Sequence, residues 1–263
     1  MFTLFLTCLA IASACLQVIS AQYSSGFHRR YYIYRRPASN YPPNVDLRNY
    51  FASASDVQQT AVASPTVSGS RSSTNPEKVQ LDIYYETDCP DSMRFLTRQL
   101  YPLYREMEGI LDIRLIPYGK AREYYNTETK KYDFMCHHGP SECYGNTVQS
   151  CVISLYPEKK DQMNFIDCME NYPRPSQSAS KCARRMSLDW NKIEKCASGD
   201  EGNRLLHENA QLTENLNPPL YFVPWIVVNK VYSDSNQRMS LRNLKSVVCN
   251  AYKGDHEKCP KGF

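Results

Sequence analysis

From Lys78 to Tyr85 the run KVQLDIYY sets Val79, Leu81, Ile83 and Tyr85 against Gln80, Asp82 and Tyr84. That alternation predicts a half-buried strand. Beyond Cys89, residues Met93, Leu96, Leu100, Leu103 and Met107 recur at spacings of three and four. They predict an amphipathic helix, which Pro102 should bend. ILDIRLIPYG, Ile110 to Gly119, alternates again and predicts a second strand. Strand, long helix and strand make a βαβ unit with a parallel pair and a right-handed crossover.

The pattern changes between Cys136 and about Ala210. Helical segments follow one another there, with cysteines set among them. YFVPWIVVN then reads as a buried strand, and Asn229-Lys230 as a turn into Val231-Tyr232. SLRNLKSVVCNAY closes the chain's periodic part with a helix on Leu241, Leu244, Val247 and Val248. The order β-α-β, helical block, β-β-α fits an α/β, thioredoxin-like fold with a disulfide-rich helical insertion at about 137–210. The ordered domain is expected to span 77–263.

The opening segment MFTLFLTCLAIASACLQVISAQ is apolar and carries no charged side chain. It is expected to be a signal peptide, residues 1–21, although a membrane anchor is the alternative. Residues 22–76 are rich in Ser, Tyr, Arg and Pro and hold no cysteine, as in a flexible leader or pro-segment. A net charge of +4 argues for no nucleic-acid partner. No later segment is apolar enough to span a bilayer, so no membrane association is expected after signal cleavage.

Eleven cysteines are present, and Cys8 and Cys15 belong to the opening segment. Cys89, Cys136, Cys143, Cys151, Cys168, Cys182, Cys196, Cys249 and Cys259 remain. Their density in an exported chain suggests disulfides. Their number is odd, so at least one thiol has no partner within the chain. If the other eight pair among themselves, Cys89 is the one left over.

Cys89 ends a predicted strand and precedes a helix, with Pro90 suited to its first turn. Unsatisfied helix N–H groups at such a position favour a thiolate, the nucleophilic form. An ordinary disulfide partner is the competing reading. A second cysteine three residues on would normally attack and resolve a mixed disulfide. Ser92 stands there instead. Its hydroxyl can hydrogen-bond to the Cys89 thiolate but cannot resolve the bond. Release would then need an external thiol such as glutathione or cysteine, or a substrate thiol in isomerisation. Pro224 fits poorly inside a central strand. It is either an edge proline or a cis proline at the strand's start, presenting the Val223 backbone to a substrate. His137 and His138, between Cys136 and Cys143, invite a zinc reading. The absence of a clear second ligand pair argues against it, so no metal and no cofactor are expected.

CHHGPSECYGNTVQSC resembles the signature of the gamma-interferon-inducible lysosomal thiol reductase family, C-Q-H-G-x-x-E-C-x-x-N-x-x-x-x-C. The matches are Cys136, His138, Gly139, Glu142, Cys143, Asn146 and Cys151, with His137 in place of Gln. LDIRLIPYGKA, LLHENAQLT, YFVPWIVVN and the Cys249 and Cys259 tail extend the resemblance from about Lys78 to Pro260. It implies a thioredoxin-fold enzyme that reduces protein disulfides, with Cys89 on the first active-site cysteine and Ser92 on the second. It also implies Pro224 as the cis proline and structural roles for the signature cysteines. The expected partners are disulfide-containing proteins. No N-x-S/T sequon is present, so secretion and lysosomal residence both stand as expectations. A non-catalytic binding protein and a homodimer linked through Cys89 are the alternatives to catalysis.

Overall fold

A computed structural model describes residues 76–259. The segments read as signal peptide and, but for Pro76, as leader lie outside these residues. Strand β1, Val79–Tyr85, pairs in parallel with β2, Leu111–Pro117, in register from Val79 opposite Leu111 to Tyr85 opposite Pro117. On its other edge β1 pairs antiparallel with β5, Trp225–Val228. The sheet order is β2-β1-β5. β1 is covered on both faces, which the half-buried alternation did not show: Tyr84 is buried as well as Leu81, Ile83 and Tyr85. One face joins the main core. The other packs Tyr84, Ile116, Trp225 and Val227 against Phe222 and Tyr232, with Trp225 and Tyr232 stacked 3.8 Å apart.

The crossover from β1 to β2 is helical from Pro90 to Ile110 but not uniform. Helix α1, Pro90–Phe95, passes into a single wide π turn, Leu96–Leu100, and then into α2, Tyr101–Met107. Pro102 falls in the first turn of α2. A proline cannot donate to the preceding turn and its ring crowds the carbonyl there. The π turn widens the helix at that place, so the predicted bend is taken up as a change of helical pitch.

Two elements depart from the periodicity reading. Residues 122–135, to which no element was assigned, form an antiparallel hairpin, β3 (Arg122–Asn126) with β4 (Lys131–Met135). Its cross-strand Tyr125 and Tyr132 rings meet edge to face. Conversely, Val231 makes only one bridge, back to Val228. Asn229 and Lys230 both take positive φ, as a tight two-residue turn demands, but the chain then leaves the sheet.

Five helices form the block between the hairpin and β5: α3 (Pro140–Leu155), α4 (Lys159–Glu170), α5 (Pro175–Arg185), α6 (Trp190–Ala197) and α7 (Asp200–Glu214). Helix α8, Asp234–Ala251, ends the domain, with a kink at Asn243. Disulfides staple the block. Cys151–Cys196 joins α3 to α6, and Cys168–Cys182 joins α4 to α5. Cys136–Cys143 closes the loop before α3, and Cys249–Cys259 ties α8 to the tail. The architecture is a thioredoxin-like α/β fold carrying a disulfide-rich helical insertion.

Candidate functional site

Cys89 is the free cysteine among the described residues. Its backbone is extended (φ −81°, ψ 121°) and it caps α1, its carbonyl accepting the Met93 N–H at 2.9 Å. The residue is buried, 8 % exposed. Ser92, fully buried, does not hydrogen-bond to Cys89. Its Oγ instead accepts the Glu86 N–H at 3.4 Å. The expected Ser92–Cys89 contact is not formed among the described residues, although the hydroxyl, which only accepts here, keeps its own proton to donate.

The three residues between β1 and Cys89 are each tied to a different part of the fold. Glu86 Oε1 accepts the Lys120 N–H at 2.8 Å. Gly119, at φ +64°, permits that approach, because a Cβ there would lie 2.8 Å from Glu86 Oε1. Thr87 donates twice to Asn146 Oδ1 on α3, from N at 3.0 Å and from Oγ1 at 2.7 Å. Asp88 Oδ1 accepts from Ser176 Oγ on α5 at 2.7 Å. Gly145 lets α3 approach, since a Cβ there would lie 2.8 Å from the Thr87 methyl. The helical insertion thus forms the wall against which the Cys89 loop is set.

Buried acids surround this loop. Glu142, near the start of α3, is fully buried and pairs through both oxygens with His138, with its backbone N–H and with Nδ1. Burial pushes its carboxyl above the usual range, and the neighbouring Glu86 pushes it further; the His138 contacts act in the opposite sense. Deeper in, Tyr85 donates to Gln149 Oε1 at 2.5 Å and Gln149 donates to Glu170 Oε1 at 2.7 Å. Burial holds the Glu170 carboxyl well above its ordinary value, against the Gln149 hydrogen bond.

The Val223–Pro224 peptide bond is cis, as is Asn217–Pro218. Gln237 of α8 closes the turn into β5, donating to the Pro224 carbonyl and accepting the Ile226 N–H, both at 2.9 Å. Val223 and Pro224 form one wall of a groove of about 370 Å³. The opposite wall is α1 and the π turn, through Asp91, Arg94, Phe95 and Arg98. The groove begins two residues beyond Cys89 along the helix that Cys89 caps. Sequence reasoning missed Glu86, Lys120, Ser176 and Gln237. None sits in a local pattern that marks it, since each acts on residues 11 to 88 positions away.

The profile of the family described as "Gamma interferon inducible lysosomal thiol reductase (GILT)" matches residues 80–186. The gamma-interferon-inducible lysosomal thiol reductase of Carassius auratus is 37 % identical over 183 residues, covering 69 % of this chain and 71 % of that one. The chain belongs to the GILT family. A GILT-like protein of Anopheles gambiae, "Gamma-interferon-inducible lysosomal thiol reductase-like protein", is 35 % identical and is covered over 76 % of its length. Among solved structures, Chlamydia trachomatis DsbA aligns over 72 % of this chain and all of its own, at 13 % identity and TM-score 0.44. The GILT signature residues have definite tasks here. Asn146 holds Thr87, Glu142 holds His138, and Cys136 and Cys143 close the loop between them. No helix among the described residues is long and apolar enough to cross a membrane.

Proposed function

We propose that this protein exchanges thiols with protein disulfides through the single sulfur of Cys89. The observation that carries the reading is the leftover thiol. Four disulfides occupy the other eight cysteines of residues 76–259, and Cys89 alone keeps its thiol, at the head of a helix that lines a groove. Membership of a thiol reductase family supports the same chemistry.

The Cys89 thiolate attacks one sulfur of a substrate disulfide. A Cys89–substrate disulfide forms and the other substrate sulfur leaves as thiolate. Ser92 cannot continue the exchange. An external thiol attacks the Cys89 sulfur, which frees the second substrate thiol and leaves Cys89 bonded to the external sulfur. A second external thiol restores Cys89. Two external thiols are oxidised to one disulfide, and one substrate disulfide is reduced to two thiols. Glutathione or cysteine fits the external role, and no metal or cofactor enters the cycle. The groove beside Val223-Pro224 is the place for an extended substrate segment, and the secretory pathway, lysosomal or extracellular, is the setting.

A second reading, a binding protein without turnover, is favoured by one fact: Cys89 is buried, 8 % exposed as a residue. Insulin reduction with glutathione supplied tests the proposal on wild type, Cys89→Ala and Ser92→Cys. Wild type is expected to exceed Cys89→Ala, and Ser92→Cys to exceed both. A wild-type rate equal to that of Cys89→Ala rejects turnover and leaves the binding reading.

A further inference from the structure

A zinc reading of His137 and His138 lacked a further ligand in the sequence. The fold supplies one. Glu86, 51 residues earlier, brings Oε2 to 3.4 Å from His137 Nδ1 and to 3.4 Å from His138 Nδ1. Donor atoms of the three residues all lie within 4.8 Å of one another.

We propose that Glu86, His137 and His138 bind one divalent transition-metal cation, zinc foremost. The Glu86 side chain is fully buried, yet its Oε2 has no hydrogen-bond partner. A spacing of 3.4 Å is longer than an ordinary N–H···O bond of ~2.7–3.2 Å. It suits two ligands of one tetrahedral ion. Zinc bonds of ~2.0–2.2 Å give tetrahedral edges of ~3.3–3.6 Å. A cation shared at that spacing would give the unpartnered buried oxygen a ligand bond.

Charge points the same way. Glu86 and Glu142 are both buried, and both reach His138 Nδ1. A dication between Glu86 and the two rings neutralises that pair of acids. His138 Nδ1 then gives its lone pair to the cation in place of its contact with Glu142, which remains beside the ion as a second negative charge. His137 is half exposed and can swing inward without disturbing the core. The Cys136–Cys143 disulfide closes the short loop that carries both histidines, which keeps the two rings side by side. Two histidines and one carboxylate with a further position open are a zinc set.

His137 stands where the family signature has Gln, and a carboxamide is a poor zinc ligand. The site is therefore expected of this chain rather than of relatives that keep Gln. It does not depend on thiol exchange.

The test is titration of the folded, disulfide-intact protein with zinc, and with cobalt(II) as a visible probe. Wild type, His137→Gln, Glu86→Gln and Cys89→Ala are compared, with His256→Gln as a histidine control outside the proposed ligand set. Expected are one cation per chain, cobalt d–d bands and a zinc-induced rise in melting temperature. His137→Gln, which restores the family residue at a half-exposed position, should weaken affinity at least ~tenfold. Glu86→Gln should do the same, while Cys89→Ala and His256→Gln bind as wild type does. Binding unchanged in His137→Gln overturns the site, as does no binding by folded wild type. Loss of binding in Cys89→Ala with retention in His137→Gln assigns the cation to the thiol and also overturns it.

Discussion

The Asn146 side chain carries a prediction that follows from the geometry of the Cys89 loop. Both Asn146 and Thr87 are fully buried, and Asn146 Oδ1 accepts two hydrogen bonds from Thr87. Asn146→Ala removes both and strands a buried backbone N–H. A net ~1 kcal/mol per bond, raised by the desolvation cost of the orphaned donor, gives ~2–4 kcal/mol. Thr87→Val removes only the hydroxyl bond and leaves Asn146 Oδ1 satisfied, so ~1 kcal/mol is expected. Urea unfolding with the disulfides intact, followed by the fluorescence of the two tryptophans, measures both. For a domain of this size the loss in Asn146→Ala corresponds to ~4–16 °C in melting temperature. Alkylation of Cys89 provides a second reading. Its 8 % exposure rises once the loop is released, so the native-state rate should increase in Asn146→Ala more than in Thr87→Val. If Asn146→Ala is no less stable than Thr87→Val, the loop is not held from α3 and the reasoning fails.

Two further outcomes test other parts of the structure. Burial raises the folded-state pKa of Glu170 well above its unfolded value, so its contribution is fully present below the unfolded pKa and is lost as pH rises through the folded one. Wild type should lose stability as pH rises above about 4.3, the ordinary carboxylate value, and Glu170→Gln should lose less; identical pH profiles from chemical denaturation would refute this. Disulfide loops rank the staples: Cys151–Cys196 spans 45 positions and Cys249–Cys259 spans 10. Paired Ala substitutions should cost ~4 kcal/mol for the first and ~3 kcal/mol for the second, and calorimetry showing the reverse order would count against a chain-entropy origin.

Much of the scaffold is legible in the chain itself. Alternation marks β1 and β2, and spacings of three and four mark the crossover helix, because burial of one face imposes its period on a local run of side chains. The signature between Cys136 and Cys151 identifies the family, since its residues lie close in sequence. An odd cysteine number shows that one sulfur is left over. Elsewhere local patterns mislead. Pro102 predicts a bend but not the π turn that absorbs it. The Val231-Tyr232 run reads as a strand, yet no edge is offered to it beyond a single bridge. The 122–135 hairpin escapes notice because its two strands are five residues each and bury no position fully, so the alternation is short and shallow.

The chain alone determined the fold class, the family and the position of Cys89 at the head of a helix. Each follows from short-range order, where residues a few positions apart share a face or a turn. Only the tertiary structure decided what surrounds that cysteine. Ser92 accepts from the Glu86 amide, Asn146 and Ser176 hold the loop, and Glu86 meets His137 and His138. Those contacts join residues separated by tens of positions, and no periodicity encodes them. They exist because packing the helical insertion against the end of β1 buries charged and polar groups that must find partners, and the partners come from wherever the chain returns.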